Sequence, residues 1–140
     1  GMGGEAFPAH VKLSVPDGVN IRHLLINGAE CEPYLTTDHR LMLERPEALL
    51  EGAEIMRQKL GAEDAIIGIE ANKPDAIETV RNLIQPGDPV RVVPLKVKYP
   101  QGAEKMMIKS VFDVEVPAGQ LPRDVGVNVN NVGTIVADAD

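Results

Sequence analysis

The sequence predicts an α/β fold in which an open, mostly parallel sheet carries helices on both faces and forms a single domain over residues 1–140. Two observations predict it. Short apolar runs alternate along the chain with stretches whose apolar residues recur every three or four positions, a pattern typical of strands alternating with helices. The 140 residues are 44% hydrophobic, which is enough for one core.

The first strand and the first long helix have clear limits in the sequence. Ile21–Ile26 is an apolar run with the length of a buried strand, and it leads into Asn27-Gly28. Pro46 opens a helix at a position where its missing N–H costs nothing, and Gly61 ends that helix. The buried face of this helix is predicted from apolar residues at spacings of three and four, namely Leu49, Ala53, Met56 and Leu60.

The middle of the chain predicts two strands joined by a helix. Ala65–Ile69 is a continuous apolar run and indicates a central parallel strand. Asn72–Asp75 starts the second helix, and its inner face is predicted to carry Ile77, Val80 and Ile84. Val90–Val97 is the next strand, in which Pro94 favours a sheet edge or a bulge because it cannot donate a ladder hydrogen bond.

The last third of the chain predicts two more helices and one strand. A third helix runs over Gly102–Phe112, and turns follow at 117–119 and at Pro122. Val125–Val129 is the last strand, and Asn131 caps a final helix.

Composition excludes several classes of function. The chain has 14 Lys and Arg against 21 Asp and Glu, a net charge of −7, and only 3% aromatic residues, which argues against a nucleic-acid surface. The apolar runs fall short of the roughly 20 residues of a membrane span, and we see no secretory leader. One cysteine excludes a disulfide framework and a four-cysteine iron–sulfur site within these residues. A soluble domain of a reducing compartment that handles a small molecule is the expectation.

Ligands of open parallel sheets bind beyond the carboxyl ends of the strands, where helix N-termini converge. The predicted strands place polar or glycine-rich segments at that edge, namely Asn27–Pro33, Glu70–Lys73, Lys98–Glu104 and Asn128–Thr134. The opening glycine loop at 1–6 is a fifth candidate and indicates either a phosphate cradle or a terminal loop.

The residues of these segments leave alternatives open. Glu30 and Glu32 suit orientation of a polar substrate or binding of a hard cation, or they are solvated loop carboxylates. Cys31 is either reactive or a small packed hydrophobe. Asn130, Asn131 and Thr134 suit an anion at a helix start, and simple capping by Asn131 explains them equally well. The three histidines show no metal-ligand spacing, and we predict no metal site and no catalytic side chain.

Five motifs, in this order and across nearly the whole chain, resemble those of the RnfC (RsxC) family. They are GMGGEAFPAHVKL at 1–13, LINGAECEPY at 25–34, IGIEANKP at 67–74, KYPQGAEK at 98–105 and NVGT at 131–134. RnfC is the peripheral NADH-handling subunit of the Rnf electron-transport complex and is related to the flavoprotein subunit of respiratory complex I.

The resemblance implies a Rossmann-like domain that binds FMN and transfers hydride to it from NADH. Matched position by position, it implies that FMN is held by Gly1, Gly3, Gly4, Lys12, Asn27, Glu30, Cys31, Tyr99, Gly102, Asn130, Asn131 and Thr134. It implies that NADH is contacted by Glu32 and Glu104. The glycine amides and the Lys12 ammonium explain how an acidic domain binds a phosphate. Hydride chemistry belongs to the flavin and needs no acid–base side chain.

The resemblance also implies partners and a location. The other subunits of a membrane electron-transport complex are expected partners, with the chain cytoplasmic and peripheral to the membrane rather than inserted in it. The 4Fe-4S clusters of the family are expected in a later, cysteine-rich region, so the chain is interpreted as a piece of a longer subunit.

Two departures from the family pattern keep other functions open. Glu5 and Ala6 stand in the opening loop where the family usually has Ala and Gly. A carboxylate at about 4 Å from the phosphate would cost roughly 1–4 kcal/mol, and Ala adopts positive φ less readily than Gly. The alternatives are a docking module or remnant that no longer binds FMN, and an RnfC-like cobalamin reductase domain.

Overall fold

The computed structural model describes residues 20–28, 37–100 and 102–139 and confirms the α/β class. In chain order the elements are β1 (His23–Asn27), α1 (Thr37–Glu44), α2 (Pro46–Leu60), β2 (Asp64–Glu70), α3 (Pro74–Arg81), β3 (Val90–Leu95), α4 (Glu104–Phe112), a 3₁₀ helix (Pro122–Val125), β4 (Val127–Asn131) and α5 (Val132–Ala139). Strands and helices alternate as predicted, and each parallel crossover uses a helical connection.

The four strands form one parallel sheet in the order β3-β2-β1-β4. The chain moves outward from β1 through β2 to β3, and then returns to place β4 on the other side of β1. The strand order therefore reverses between β1 and β4. Asn27, the last residue of β1, is paired in register with Asn131, the last residue of β4.

Two hydrophobic clusters cover the two faces of the sheet. Because side chains alternate along a strand, Leu24 and Ile26 of β1 belong to one cluster and Leu25 belongs to the other. The first cluster packs α1, α2, α3 and α5 on the sheet, and the second packs α4 and the segment around Tyr99 on the opposite face. Helices thus cover both faces, as the sequence predicts.

The predicted limits of α2 are confirmed at both ends. Pro46 occupies the first turn, and Gly61 takes the left-handed conformation with φ 71° after Leu60. The guanidinium of Arg57 donates hydrogen bonds to the Glu54 carboxylate. It also donates to the carbonyl oxygen of Ala62 at 2.8 Å, and this bond connects the end of α2 to the chain that enters β2. The hydrogen bond between Arg57 and Glu54 lowers the pKa of the Glu54 carboxyl.

Some element limits differ from the prediction. β3 is an edge strand among the described strands and contains Pro94, as expected, but it ends at Leu95 rather than at Val97. α3 ends at Arg81, so Ile84 packs on the core from beyond the helix. β4 starts at Val127 because the residues before it form a 3₁₀ turn that ends on Gly126, with φ 84°.

In the described parts of the chain, we find no helix that is both long and apolar enough to cross a bilayer.

Candidate functional site

The strand reversal between β1 and β4 marks the candidate site. In open parallel sheets, ligands bind beyond the carboxyl ends of the strands at the point where the strand order reverses. Asn27 and Asn131 stand side by side at this place, and α5 begins directly after β4. Two residues predicted as flavin contacts thus meet at this position although about a hundred residues separate them in sequence.

Asn27 links the end of β1 to the segment that follows β3. Its Nδ2 atom donates a hydrogen bond of 3.3 Å to the carbonyl oxygen of Tyr99. Tyr99 is itself buried in the hydrophobic cluster under α4, with a relative exposure of 7%. The contact brings the Asn27, Tyr99 and α4 parts of the predicted site together at one edge.

The start of α4 lies next along the chain from Tyr99. Gly102 has φ 97°, and its N–H donates to Glu104 Oε1 at 3.1 Å. A Cβ added at Gly102 would meet no atom of the described residues within 4 Å, so these residues leave the space beside this backbone open. No side chain caps the first turn of α4 among the described residues. Its N–H groups therefore carry the partial positive charge of a helix start.

Asn131 caps the start of α5, which was one of the two functions that the sequence allowed for it. Asn131 Oδ1 accepts a hydrogen bond of 2.9 Å from the N–H of Thr134. Asn130 donates through Nδ2 to Asn128 Oδ1 on the same strand. A Cβ added to Gly133 would lie 3.8 Å from Asp38 Oδ1, so a carboxylate also lies near this helix start. Capping by Asn131 is confirmed, and anion binding here stays a prediction.

Glu70 begins the segment Glu70–Lys73 that the sequence placed at this edge, but the sequence predicted no role for it. It ends β2 at the same carboxyl edge, and it is the one buried charged residue of the described chain, with 5% exposure. No hydrogen bond or ion pair of its carboxylate is found among the described residues. The signal was present in the sequence, because a carboxylate directly follows a continuous apolar run, but the motif match gave it no role.

The histidines of the described chain lie in pairs with aspartates. His39 Nε2 is 3.0 Å from Asp75 Oδ1, and this hydrogen bond, with one from the N–H of Ala76, holds the pKa of Asp75 below its usual range. His23 Nδ1 is 2.7 Å from Asp64 Oδ1 at the amino edge of the sheet, and its ring stacks on Phe112. The described residues contain no group of three His, Cys, Asp or Glu side chains that could hold a metal ion.

An open cavity of about 420 Å³ adjoins the Tyr99 segment. It is lined by one side of α4 and the chain beside it, including Lys105, Lys109 and Glu115, and two of its apolar side chains are largely exposed, Val97 at 55% and Met106 at 67%. The cavity is a groove on the outer side of α4, next to the carboxyl edge.

The other predicted contacts lie outside the described residues. They are Gly1, Gly3, Gly4, Lys12, Glu30, Cys31 and Glu32, and the departures at Glu5 and Ala6 lie there as well.

The family whose sequence profile matches residues 1–138 is described as the Nuo51 FMN-binding domain. The chain belongs to this family. The predicted relationship to the complex I flavoprotein is thereby confirmed.

Curated relatives agree with this assignment. The chain is 51% identical, over its full 140 residues, to the C subunit of a proton-translocating ferredoxin:NAD(+) oxidoreductase complex of Clostridium ljungdahlii, of which it covers 30%. It is 46% identical to the C subunit of the Na(+)-translocating complex of Acetobacterium woodii, of which it covers 32%. It is 42% identical over 137 residues to the C subunit of an ion-translocating oxidoreductase complex of Haemophilus influenzae, covering 98% of this chain and 21% of that protein. The chain thus spans about a third of these relatives or less.

A solved structure shows the same fold. The crystal structure of an NAD+-reducing [NiFe]-hydrogenase in the H2-reduced state matches with a TM-score of 0.66 over 84% of this chain and 24% of that chain, at 24% identity. This likeness supports the Rossmann-like α/β architecture.

The described residues fit an FMN group. Among the described residues, the backbone beside Gly102 leaves room at the edge. The half-buried amide of Asn27 and the first-turn N–H groups of α4 and α5 are hydrogen-bond donors, which the carbonyl and phosphate oxygens of FMN require. The carboxylate of Glu70, which has no partner among the described residues, calls for a donor, and FMN carries several.

Proposed function

We propose that the chain binds FMN at the carboxyl edge of the sheet and serves in hydride transfer from NADH to that FMN. The observation that carries the proposal is the pairing of Asn27 with Asn131 where the strand order reverses, in a chain that belongs to an FMN-binding family. The start of α4, with Gly102 and Glu104, adjoins this position through the Asn27–Tyr99 hydrogen bond.

In this proposal, different residues contact different parts of FMN and NADH. Asn27, Tyr99 and Gly102 contact the flavin ring, and Asn130, Asn131 and Thr134 hold the phosphate end. Glu104 contacts the nicotinamide nucleotide. The residues outside the described ranges complete the site, with Gly1, Gly3, Gly4 and Lys12 at the phosphate, Glu30 and Cys31 along the flavin, and Glu32 at NADH.

The protein contributes binding and orientation. Bound FMN supplies a ring that accepts a hydride, which is a chemistry that amino-acid side chains lack. Asn27 holds an amide donor in place because its own hydrogen bond to Tyr99 fixes the side chain. The α5 start adds N–H groups and a partial positive charge toward an anion. Hydride transfer requires that the flavin and nicotinamide rings stack in the correct position. The proposal therefore needs no proton-transfer residue.

The parent protein extends the proposal. The relatives are named as subunits of ion-translocating ferredoxin:NAD(+) oxidoreductase complexes. We place this chain in a subunit of that kind, which lies in the cytoplasm and is peripheral to a membrane through the other subunits, with 4Fe-4S clusters in the rest of the chain to take electrons from the flavin. The names of the relatives favour this function over a cobalamin reductase.

A titration of the 140-residue chain with FMN tests the proposal. We expect saturable quenching of flavin fluorescence, a rise in melting temperature that grows with the FMN concentration, and loss of visible flavin absorbance when NADH is added without oxygen. Asn27→Leu, which removes the donor, should weaken FMN binding about tenfold. The matched change Asn20→Leu, at an exposed position on the amino side of β1, should leave it unchanged.

Two results would decide against the proposal. A chain that shows neither quenching nor a higher melting temperature at saturating FMN behaves as a docking module. If the chain binds FMN but the flavin absorbance does not fall when NADH is added, hydride transfer from NADH is rejected.

A further inference from the structure

Glu70 is a buried charged residue at the carboxyl end of β2. A buried carboxylate without a hydrogen-bond donor has lost its hydration, and no protein hydrogen bond replaces it. Such groups are rare in native proteins. Glu70 is only 5% exposed, and none of the described residues gives its carboxylate a hydrogen bond or an ion pair. A side chain in this state indicates a partner that arrives from outside the described fold.

The position of Glu70 points to the flavin site. Along β2, Ile66 packs in the cluster under α4, so Glu70, four residues later, lies on the same face of the sheet. Asn27 lies on this face too, two residues after Leu25 of the same cluster. Asn27 is paired with Gly68, and Glu70 is two residues beyond it, so the two side chains start roughly 8 Å apart.

We propose that Glu70 is an additional ligand contact, whose carboxylate accepts a hydrogen bond from an N–H or O–H group on the uncharged part of bound FMN. The inference rests on the proposed function.

The chemistry of a carboxylate limits what it can contact. An ionised carboxylate only accepts hydrogen bonds, and it repels a phosphate. The proposed phosphate end lies at the start of α5, after β4, two strands from β2 and so about 10 Å away across the sheet. The remaining donors of FMN are the ribityl hydroxyls and the N–H of the flavin ring. Either donor would satisfy the buried oxygens that the described residues leave unpaired.

Two substitutions test this contact, with melting temperature and FMN affinity measured for each. Glu70→Leu removes every acceptor and suits an apolar surrounding, whereas Glu70→Gln keeps one acceptor oxygen without the charge. Both should raise the melting temperature of the ligand-free chain by about 2–6 °C. Both should weaken FMN binding, Glu70→Leu by about tenfold or more and Glu70→Gln by less. Glu51→Gln, on the exposed side of α2, should change neither.

The same variants identify the donor. Lumiflavin keeps the ring N–H but lacks the ribityl chain. If Glu70→Leu weakens lumiflavin binding as much as FMN binding, the ring N–H is the donor. If it weakens FMN binding alone, a ribityl hydroxyl is the donor. Either result supports the contact.

Other results overturn it. Unchanged FMN affinity in both variants shows that the carboxylate does not touch the ligand. A lower melting temperature of the ligand-free variants shows that Glu70 has a partner within the protein. Failure of the unsubstituted chain to bind FMN rejects the proposed function itself, which is a separate result because it does not involve Glu70.

Discussion

The Asn131 side chain is compatible with both interpretations that its sequence position allowed. The residue type and its place before an apolar run predict a helix cap or an anion contact, and sequence alone could not choose. The structure confirms the cap, in which Oδ1 accepts from the Thr134 N–H. A cap of this kind uses only the oxygen, so the two amide hydrogens of the same side chain can still be donated to a ligand.

Substitution of Asn131 separates these two roles. Asn131→Asp keeps a capping oxygen but removes the amide donors and adds a negative charge close to Asp38. We expect its free energy of unfolding to stay within about 0.5 kcal/mol of the parent, while Asn131→Ala loses about 1 kcal/mol. Both should weaken FMN binding, and Asn131→Asp by more than tenfold because its carboxylate would face the phosphate in the proposed site. Urea unfolding and fluorescence titration measure the two quantities.

The same change of charge at the opposite edge is the control. Asn20→Asp lies at an exposed position before β1 and should leave FMN affinity unchanged. If Asn131→Asp binds FMN like the parent, the phosphate does not lie at α5. If Asn131→Ala is as stable as the parent, the Asn131 cap contributes little to stability.

At the scale of elements, the sequence predicted the features that depend on neighbouring residues, such as the ends of a helix. Pro46 and Gly61 fix the ends of α2 because one lacks an N–H and the other adopts φ 71° without strain. Pro94 correctly predicted an edge strand. The close approach of α2 to α5 could not be predicted, because it joins residues from distant parts of the chain. Gly52, in the interior of α2, packs directly on the Ile135 carbonyl oxygen of α5.

Gly52→Ala is expected to reverse the usual effect of this substitution. In the interior of a free helix it stabilises by about 1 kcal/mol. Here the added Cβ would collide with a backbone oxygen of Ile135, which cannot rotate away, and α2 and α5 must separate. We expect a loss of about 2 kcal/mol in the free energy of unfolding. Glu51→Ala, the exposed neighbour on the same helix, should be close to neutral; equal effects of the two would contradict the tight crossing.

At the scale of the whole molecule, strand order is the feature that the sequence left open. The apolar runs predicted a parallel sheet with helices on both faces, but each run is compatible with several neighbours. The order β3-β2-β1-β4 arises from long-range pairing, and it alone brings Asn27 beside Asn131. The burial of Glu70 could not be predicted for the same reason. Its burial depends on the packing around the carboxyl edge, and a strand-end carboxylate is usually solvated.

The topology predicts where FMN should protect the backbone from hydrogen exchange. If the ligand lies at the carboxyl edge, amides at the end of β1 and at the starts of α4 and α5 should exchange more slowly on binding, since bound FMN would restrict their local opening. Amides at the amino edge, such as those of Arg22 and His23, which bond to Gly126, should change little at saturating FMN. Mass spectrometry of peptides with and without FMN measures both sets.

This experiment tests the architecture of the site without altering any residue. Binding that only stabilises the folded state raises the protection of the most stable core amides, in the middle of β1 and β2, and leaves the two edges equal. A difference between the edges therefore requires contact at one of them. Stronger protection at the amino edge would place the ligand on the wrong side of the sheet, and the assignment of the strand reversal as the flavin site would be rejected.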